Sequence, residues 1–529
     1  MKIFSVFFSP PVSERCLYRS LPPQSGFYTP AVGKKNQQIS IKHLIFCPKC
    51  STIYLCDLPH LFRRVRAATV LYEKEKNMKP VLYDYDVYPK AFLGDREKTI
   101  TIEPLGDHVA FRKEQTYTVQ VLKVNQANMS AYPERSGRST VTATPDEDGC
   151  LRITAYFEGE GEHYLNVHDA ENRRVCTLSV YSLAEDMAGR VPQRGDLHLH
   201  TRRSDGDQSP AITASNYRGY GYDFMVISDH NRYYPSLEAI QAFGDISDVA
   251  IIPGEEVHLP YNDVHYINFG GTYSINALVI GGPNDEKAGS DLAWRSLDGS
   301  APDPLTREEY TAMIEERAEK VPLANRSERL SYAVLEWTYE HMQKNGGFGV
   351  FVHPYWLCQC MQLPEEYTRF IYENHPFDGF EVLGGEHYFG QNGFQTALYY
   401  EMRAKGIDTA AVGATDSHSS HAEHNRNALI CSTIVFAKEN TREGLVSALK
   451  DKYSVAVDTI SAEYRLVGDF RWIRYGSFLM ENYFPIHDLV CQTEGHYLKR
   501  HFNGDRRATE VLKVMKGQLP ELQKKYFDV

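Results

Sequence analysis

The sequence predicts an α/β fold, either an α/β barrel or an open parallel sheet, preceded by a small antiparallel β-sandwich. Three observations predict it. Residues 79–188 are a series of short, β-branched, alternating segments divided by turn residues. From Gly195 onward, hydrophobic strand-like runs alternate with helix-like stretches that carry their own end signals. Histidines and carboxylates recur at the C-terminal ends of those runs, the face on which parallel barrels assemble their sites.

The sandwich strands read as KTITIEP, YTVQVLKV, STVTATP, CLRITAYF, HYLNVHD and CTLSVYS. Within 189–460 the strand candidates are DLHLH, DFMVIS, VAIIP, VHYINFG, GFGVFVHP, FDGFEVL and DTAAVGA. Thr306 and Glu309 form a capping-box pair ahead of one helix, and Gly346 and Gly406 stand where two others should end. Residues 271–330 are polar with Gly and Pro and read as an insertion over the barrel mouth. Residues 461–529 read as a C-terminal cap containing a helix, RATEVLKVMKGQ, before Pro520. Residues 1–78 show no clear pattern.

Length and composition narrow the possibilities. A chain of 529 residues is too long for one ordinary core, and the length prior is about three or four domains. Lys+Arg 57 against Asp+Glu 69 gives a net charge of −12, which argues against a nucleic-acid partner while leaving room for a locally positive, metal-lined pocket. No apolar run reaches the ~18–20 residues of a membrane span. The apolar start MKIFSVFF is cut short by Pro10 and Pro11, so no secretory segment is expected. Ten scattered cysteines read as reduced thiols, which favours a cytoplasmic location.

In DLHLH, alternation puts Asp196, His198 and His200 on one strand face and Leu197 and Leu199 on the other. Two imidazoles so placed can share a metal ion, although a lone His-x-His is weak as a signal. The following runs repeat the theme. DFMVIS ends in Asp229 and His230, VAIIP leads to Glu255 and Glu256, and VHYINF carries His265. GFGVFV ends in His353, and DTAAVGA leads to Asp416 and His418. Buried core histidines or solvated charges do not account for a whole series of this kind.

In their order, GDLHLHT, SDGDQSP, ISDHN, PGEEV, VHP and DSH resemble the motifs of the PHP family, the polymerase and histidinol phosphatase superfamily, over about half of the chain. The resemblance implies a distorted (β/α)₇ TIM-like barrel holding two or three divalent ions (Zn, Mn or Fe). It implies His198, His200, Asp205, His230, Glu256, His265, His353, Asp416 and His418 as ligands, with Glu256 bridging and Glu255 as its competitor. Glu381 has a supporting or structural role on this reading. The opening motif, the SDHN motif and the preceding β-domain most resemble a branch that cleaves esters and carbamates.

The expected chemistry is hydrolysis of a small phosphate ester by a metal-bound hydroxide, or of a carboxylate ester or carbamate on the same barrel. Asp229 and Asp196 are expected to orient imidazoles. Arg202, Arg203 or Arg232 is expected to grip an anionic substrate, with Arg232 the choice carried forward, although surface ion pairing is the blander reading. The competing readings are an amidohydrolase, a polymerase-associated proofreading role, and a non-catalytic barrel whose β-domain contacts carbohydrate or a protein partner. Cys47, Cys50, Cys56 and His60 have the spacing of a small zinc knuckle or of a reduced thiol cluster. Cys358 and Cys360 read as buried thiols, and His421 and His424 as a solvated loop.

Overall fold

Strands in residues 79–188 form two stacked sheets. The computed structural model describes residues 79–124, 138–282, 294–358, 360–385, 389–421, 429–459 and 465–529. The Cys47–His60 motif and His424 lie outside these residues. One sheet orders Tyr85–Tyr88, Arg96–Pro104 and Leu151–Phe157 antiparallel. The other orders Ala91–Leu93, Arg174–Leu183, Gly161–His168, Tyr117–Lys123 and Arg138–Ala143. Alternation explains the pairing: Leu151, Ile153, Ala155 and Phe157 are buried while the residues between them are exposed. Their inward faces meet Val119, Val121, Leu165, Val167, Leu178 and Val180 in one core. A fully buried aliphatic side chain contributes about 1.5–3 kcal/mol here.

Two further sheets follow. The first runs, in spatial order, Ala250–Ile252, Phe224–Val226, Val191–Asp196, Cys431–Ala437, Ser454–Asp458 and Arg465–Gly468. The second runs Gly254–Val257, Tyr266–Phe269, Phe348–Phe351, Gly379–Leu383 and Ala410–Gly413. Both are mixed, with parallel pairs such as Phe224–Val226 on Ala250–Ile252 and antiparallel ones such as Gly254–Val257 on Tyr266–Phe269. Leu197, Phe224, Val226, Ile252, Ile267, Phe269, Phe348, Val350 and Val412 pack into one core with residues from both sheets.

The expected closed (β/α)₇ barrel is therefore met only in part. The sheets touch through single bridges, Leu199 with Ser417 and His230 with Glu256, instead of a continuous ladder. Gly254 supplies part of the reason. Its N–H, next in line to continue the ladder through Ile252, donates to Ser236 Oγ instead, and the chain resumes at Gly254 in the second sheet. A Cβ on Gly254 would lie 2.5 Å from both the Asn268 carbonyl oxygen and Val226 Cγ2, so only glycine permits this close passage.

The predicted capping box is present: Thr306 Oγ1 accepts from the Glu309 N–H, and Glu309 accepts from the Thr306 N–H. Gly346 and Gly406 adopt φ of 70° and 86° after their helices. The 461–529 region does not separate cleanly from what precedes it. Arg465–Gly468 pairs with Ser454–Asp458 across the expected boundary. Helices Phe470–Asn482, Phe484–Phe502, Arg506–Met515 and Gln518–Tyr526 follow, and Phe527–Asp528 then pairs parallel with Ala91–Leu93 of the sandwich. Tyr181, Phe436, Val455, Tyr475, Phe478 and Phe527 share one core, so sandwich, sheets and C-terminal helices form one compact unit. No described helix is long and apolar enough to cross a membrane.

Candidate metal centre

The first-strand histidines lie just beyond the ladder, which ends at Asp196. Asp196 accepts from the backbone N–H of His198 and from the N–H and hydroxyl of Thr415, locking the two strand ends together. His200 donates its backbone N–H to the Ser417 carbonyl at 2.9 Å. Both imidazoles then point the same way, with Nε2 atoms 3.1 Å apart and 3.2 and 2.9 Å from Asp416 Oδ1.

Glu256 sits at the centre and is fully buried. Its Oε2 lies 2.6 Å from His230 Nδ1 and 3.5 Å from both His198 and His200 Nε2. Its Oε1 lies 2.8 Å from His265 Nδ1, 3.4 Å from His258 Nε2 and 3.5 Å from His353 Nε2. Despite six neighbouring imidazoles, neither oxygen has a hydrogen-bond partner of proper direction. A buried carboxylate without one is costly. The nitrogens and oxygens converge on shared space, as ligands around cations do. The fit to a metal cluster rests on this.

Toward solvent, Asp205 Oδ2 lies 3.4 Å from both His230 Nε2 and His418 Nε2. His200, Asp205, His230 and His418 offer donor atoms within 4.8 Å of one another, as do His198, His200 and Asp416, and His198, Glu256 and His353. All nine residues singled out from the sequence thus fall in one cluster, with a buried floor and an open rim. The His198 side chain is 0% exposed and that of Asp205 54%.

Three positions that follow strands have left-handed backbone: Asn231 at φ 58°, His353 at φ 29° and Asp416 at φ 47°. Such conformations are unfavourable for non-glycine residues and persist where surrounding bonds fix them. Here the Asn231 N–H donates to the Glu256 carbonyl, that of Asp416 to the His198 carbonyl, and that of His353 to Glu381 Oε1. Backbone bonds to one part of the cluster thus aim side chains into another.

The supporting residues differ in part from expectation. Glu381 orients an imidazole, with Oε2 3.3 Å from His198 Nδ1. Gln362 does the same for His353 Nδ1 at 3.2 Å, a role that no motif or spacing announces. Asp229, expected to orient an imidazole, instead accepts from the N–H and hydroxyl groups of Thr201 and Ser204, clamping the loop that leads to Asp205. Asp196 likewise holds backbone and a hydroxyl. Glu255 faces away from Glu256 and accepts from Ser274, Ile275, Asn276 and Asn268, as strand alternation requires. Arg203 is paired with Glu238, and Arg232 donates to the His230 carbonyl. His258 was not anticipated; its Nε2 lies 2.9 Å from His230 Nδ1. Of the two cysteines read as buried thiols, Cys360 is exposed.

The charges suit ligation. Burial alone would raise the Glu256 carboxyl, but His230, His265, His258 and His198 hold it well below the usual range. Burial is likewise overcome at Asp205 by His230 and His418, and at Asp416 by His198 and His200. Burial pushes His200 down to about 3 and His265 down to about 4, leaving neutral imidazoles with a lone pair to donate. The Glu256 and Asp205 carboxylates prevail over burial at His230 and raise it to about 10, so a cation binding there must displace a proton.

No protein-family model matches this chain. No curated protein matches it. Solved structures give partial likenesses. A two-domain protein from Bacteroides vulgatus, containing a predicted PHP-like metal-dependent phosphoesterase, aligns at 18% identity and TM-score 0.33 over 51% of this chain. This chain spans 65% of the length of that protein, under two thirds. A protein from Bifidobacterium adolescentis, described as a metal-dependent phosphoesterase, aligns at 17% identity and TM-score 0.27, covering 42% of this chain and 87% of its own. Endonuclease Q, bound to a duplex with an abasic lesion, aligns at 14% identity and TM-score 0.30, covering 49% of this chain and 57% of its own. Likenesses at these TM-scores carry no argument about activity.

Proposed function

We propose that this chain is a PHP-type metal-dependent hydrolase that binds two or three divalent cations and cleaves a small phosphate ester. The observation that carries the reading is Glu256, fully buried and lacking a directional hydrogen bond amid six imidazoles. His198, His200, Asp416 and Glu256 would hold one cation, Glu256, His265 and His353 a second, and Asp205, His230 and His418 a third. Nitrogen and carboxylate donors suit zinc, manganese or iron. Bound cations would supply an activated water and take up charge at the scissile oxygen.

The chain's own contribution is placement. Glu381 and Gln362 fix imidazole orientation, and Asp229 holds the loop that presents Asp205. Beside the cluster lies a cleft of about 280 Å³ lined by Asn231, His258, Pro260, Asn276 and Arg307 among others. Its volume fits a small substrate. Arg307 takes the anion-gripping role first considered for Arg232, and Arg307→Ala should raise KM about tenfold with little change in kcat. A second cavity, of about 310 Å³, is lined by Asp186, Arg403, Asp469, Arg471 and Trp472 among others, and none of the cluster's donors lines it. Its arginines are already paired, Arg471 with Asp186 and Glu160 and Arg403 with Asp469.

Metal analysis of the purified protein, paired with a panel of phosphomonoesters, phosphodiesters and carboxylate esters, tests the proposal. His198→Ala and His230→Ala should abolish turnover and lower bound metal while the fold persists. Full activity in the metal-free double variant would sink the reading. Turnover confined to carboxylate esters would move the substrate class and keep the metal chemistry.

A further inference from the structure

We infer that His258 is a cation ligand on the cleft side of Glu256, beyond the nine positions named from the sequence. The inference rests on the metal reading above. His258 follows directly on the strand Gly254–Val257 that carries Glu256, and both side chains reach the same side. His258 Nε2 lies 2.9 Å from His230 Nδ1 and 3.4 Å from Glu256 Oε1. These residues offer three donor atoms, all within 4.8 Å of one another. The His258 ring also lies against that of His265, with centroids 3.9 Å apart.

Two observations separate this histidine from one that merely stacks near the site. First, its backbone is fixed: the His258 N–H donates to Asn276 Oδ1, and Asn276 Nδ2 donates to the Glu256 carbonyl and to Glu255 Oε2. The segment after Tyr273 thereby holds the strand end in the posture that aims His258 inward. Second, His230 presents its two ring nitrogens to different neighbours, Nε2 to Asp205 and Nδ1 to Glu256 and His258. A neutral imidazole has one lone pair and can serve only one of these sides as a ligand. If His230 Nε2 serves the rim with Asp205 and His418, its Nδ1 is withdrawn from the cleft side, where His258 Nε2 stands with His265 and His353 around Glu256 Oε1. His258 also lines the cleft, so a cation it holds would border the proposed substrate space.

Metal binding, read independently of turnover, tests this. Apo-protein prepared with a chelator is titrated with Mn²⁺ and with Co²⁺, following heat and the visible Co²⁺ spectrum, for wild type, His258→Ala and the conservative His258→Gln. Removing the ligand should weaken one equivalent by at least about 10- to 100-fold, because even an outer-shell change costs that much. The Co²⁺ bands of that equivalent should change in both variants. In the wild-type protein, Mn²⁺ should protect His258 from carbethoxylation, read by peptide mass spectrometry, relative to exposed His496. This measurement stands even if both variants misfold. Unchanged stoichiometry, affinity and Co²⁺ spectrum in folded variants would overturn the assignment while leaving the metal hydrolase intact. Equal carbethoxylation of His258 with and without bound Mn²⁺ would do the same. A wild-type protein that binds neither ion would overturn both.

Discussion

The candidate metal centre can be compared with a second buried cluster of the same residue types. Asp223, His487 and Cys491 also offer donor atoms within 4.8 Å of one another, and all three are buried. Here the side chains address each other. Asp223 accepts from His487 Nε2 at 2.8 Å, from Arg218 Nη1 at 3.2 Å and from the Arg194 N–H at 2.9 Å. Arg218 Nε also donates to Glu494, whose other oxygen accepts from Ser247. The Arg218 guanidinium and the His487 ring already supply the positive charge a cation would bring. At Glu256 the surroundings are imidazoles, two of them, His200 and His265, held neutral by burial, and neither oxygen receives a well-directed hydrogen bond. The two clusters are alike in the closeness of their donors and differ in how far those donors satisfy one another.

Breaking one cluster should leave the other untouched, in both directions. The largest effect is expected at the candidate metal centre, where His198→Ala should remove turnover and metal without unfolding the chain. Next, Arg218→Met leaves Asp223 and Glu494 buried beside one fewer cation. It should destabilise the fold by about 3–5 kcal/mol, read by chemical denaturation, with the bound-metal count unchanged. Metal loss in this variant would mean that the two clusters are coupled. Glu381→Gln should weaken metal binding about 10- to 100-fold through the loosened His198 imidazole, read by titration of the apo-protein, with little loss of stability.

The smallest effect concerns pH. Burial alone would lower His487, but Asp223 raises it well above its ordinary value, and the same network holds Asp223 below its own. A raised folded-state value means that the stability from His487 is complete below its unfolded value of about 6.5 and is lost as pH rises through the folded one. The Asp223 contribution is present above about pH 3.9 and fades as pH falls through its lowered value. The stability advantage of the wild type over His487→Gln should therefore shrink at alkaline pH. An advantage that grew with pH would show that His487 is neutral in the fold.

Much of the centre was legible because its rule is local. His198 and His200 share a face by strand alternation, and each further ligand except Asp205, which only the family resemblance supplied, stands beside a hydrophobic run visible in the sequence. His258 stands just beyond the strand of Glu256, but it is followed by Leu259 and Pro260 and reads as the start of a turn. Gln362 could not be found by spacing, because the short hairpin Leu357–Met361 folds it back onto His353. The sandwich strands were legible for the same reason as the ligands. The strand contributed by Phe527–Asp528 was not, because its partner Ala91–Leu93 lies at the other end of the described chain.

The sequence by itself determined which residues are apolar, which alternate, and where strands end in donors. Those properties depend on neighbours a few positions away. Only the tertiary structure decided that Asp229 clamps a loop, that Glu255 turns from Glu256, and that Asp223 and His487, 264 positions apart, neutralise one another. Such choices depend on which distant partner satisfies a buried charge, and that is fixed only when the chain has folded around it.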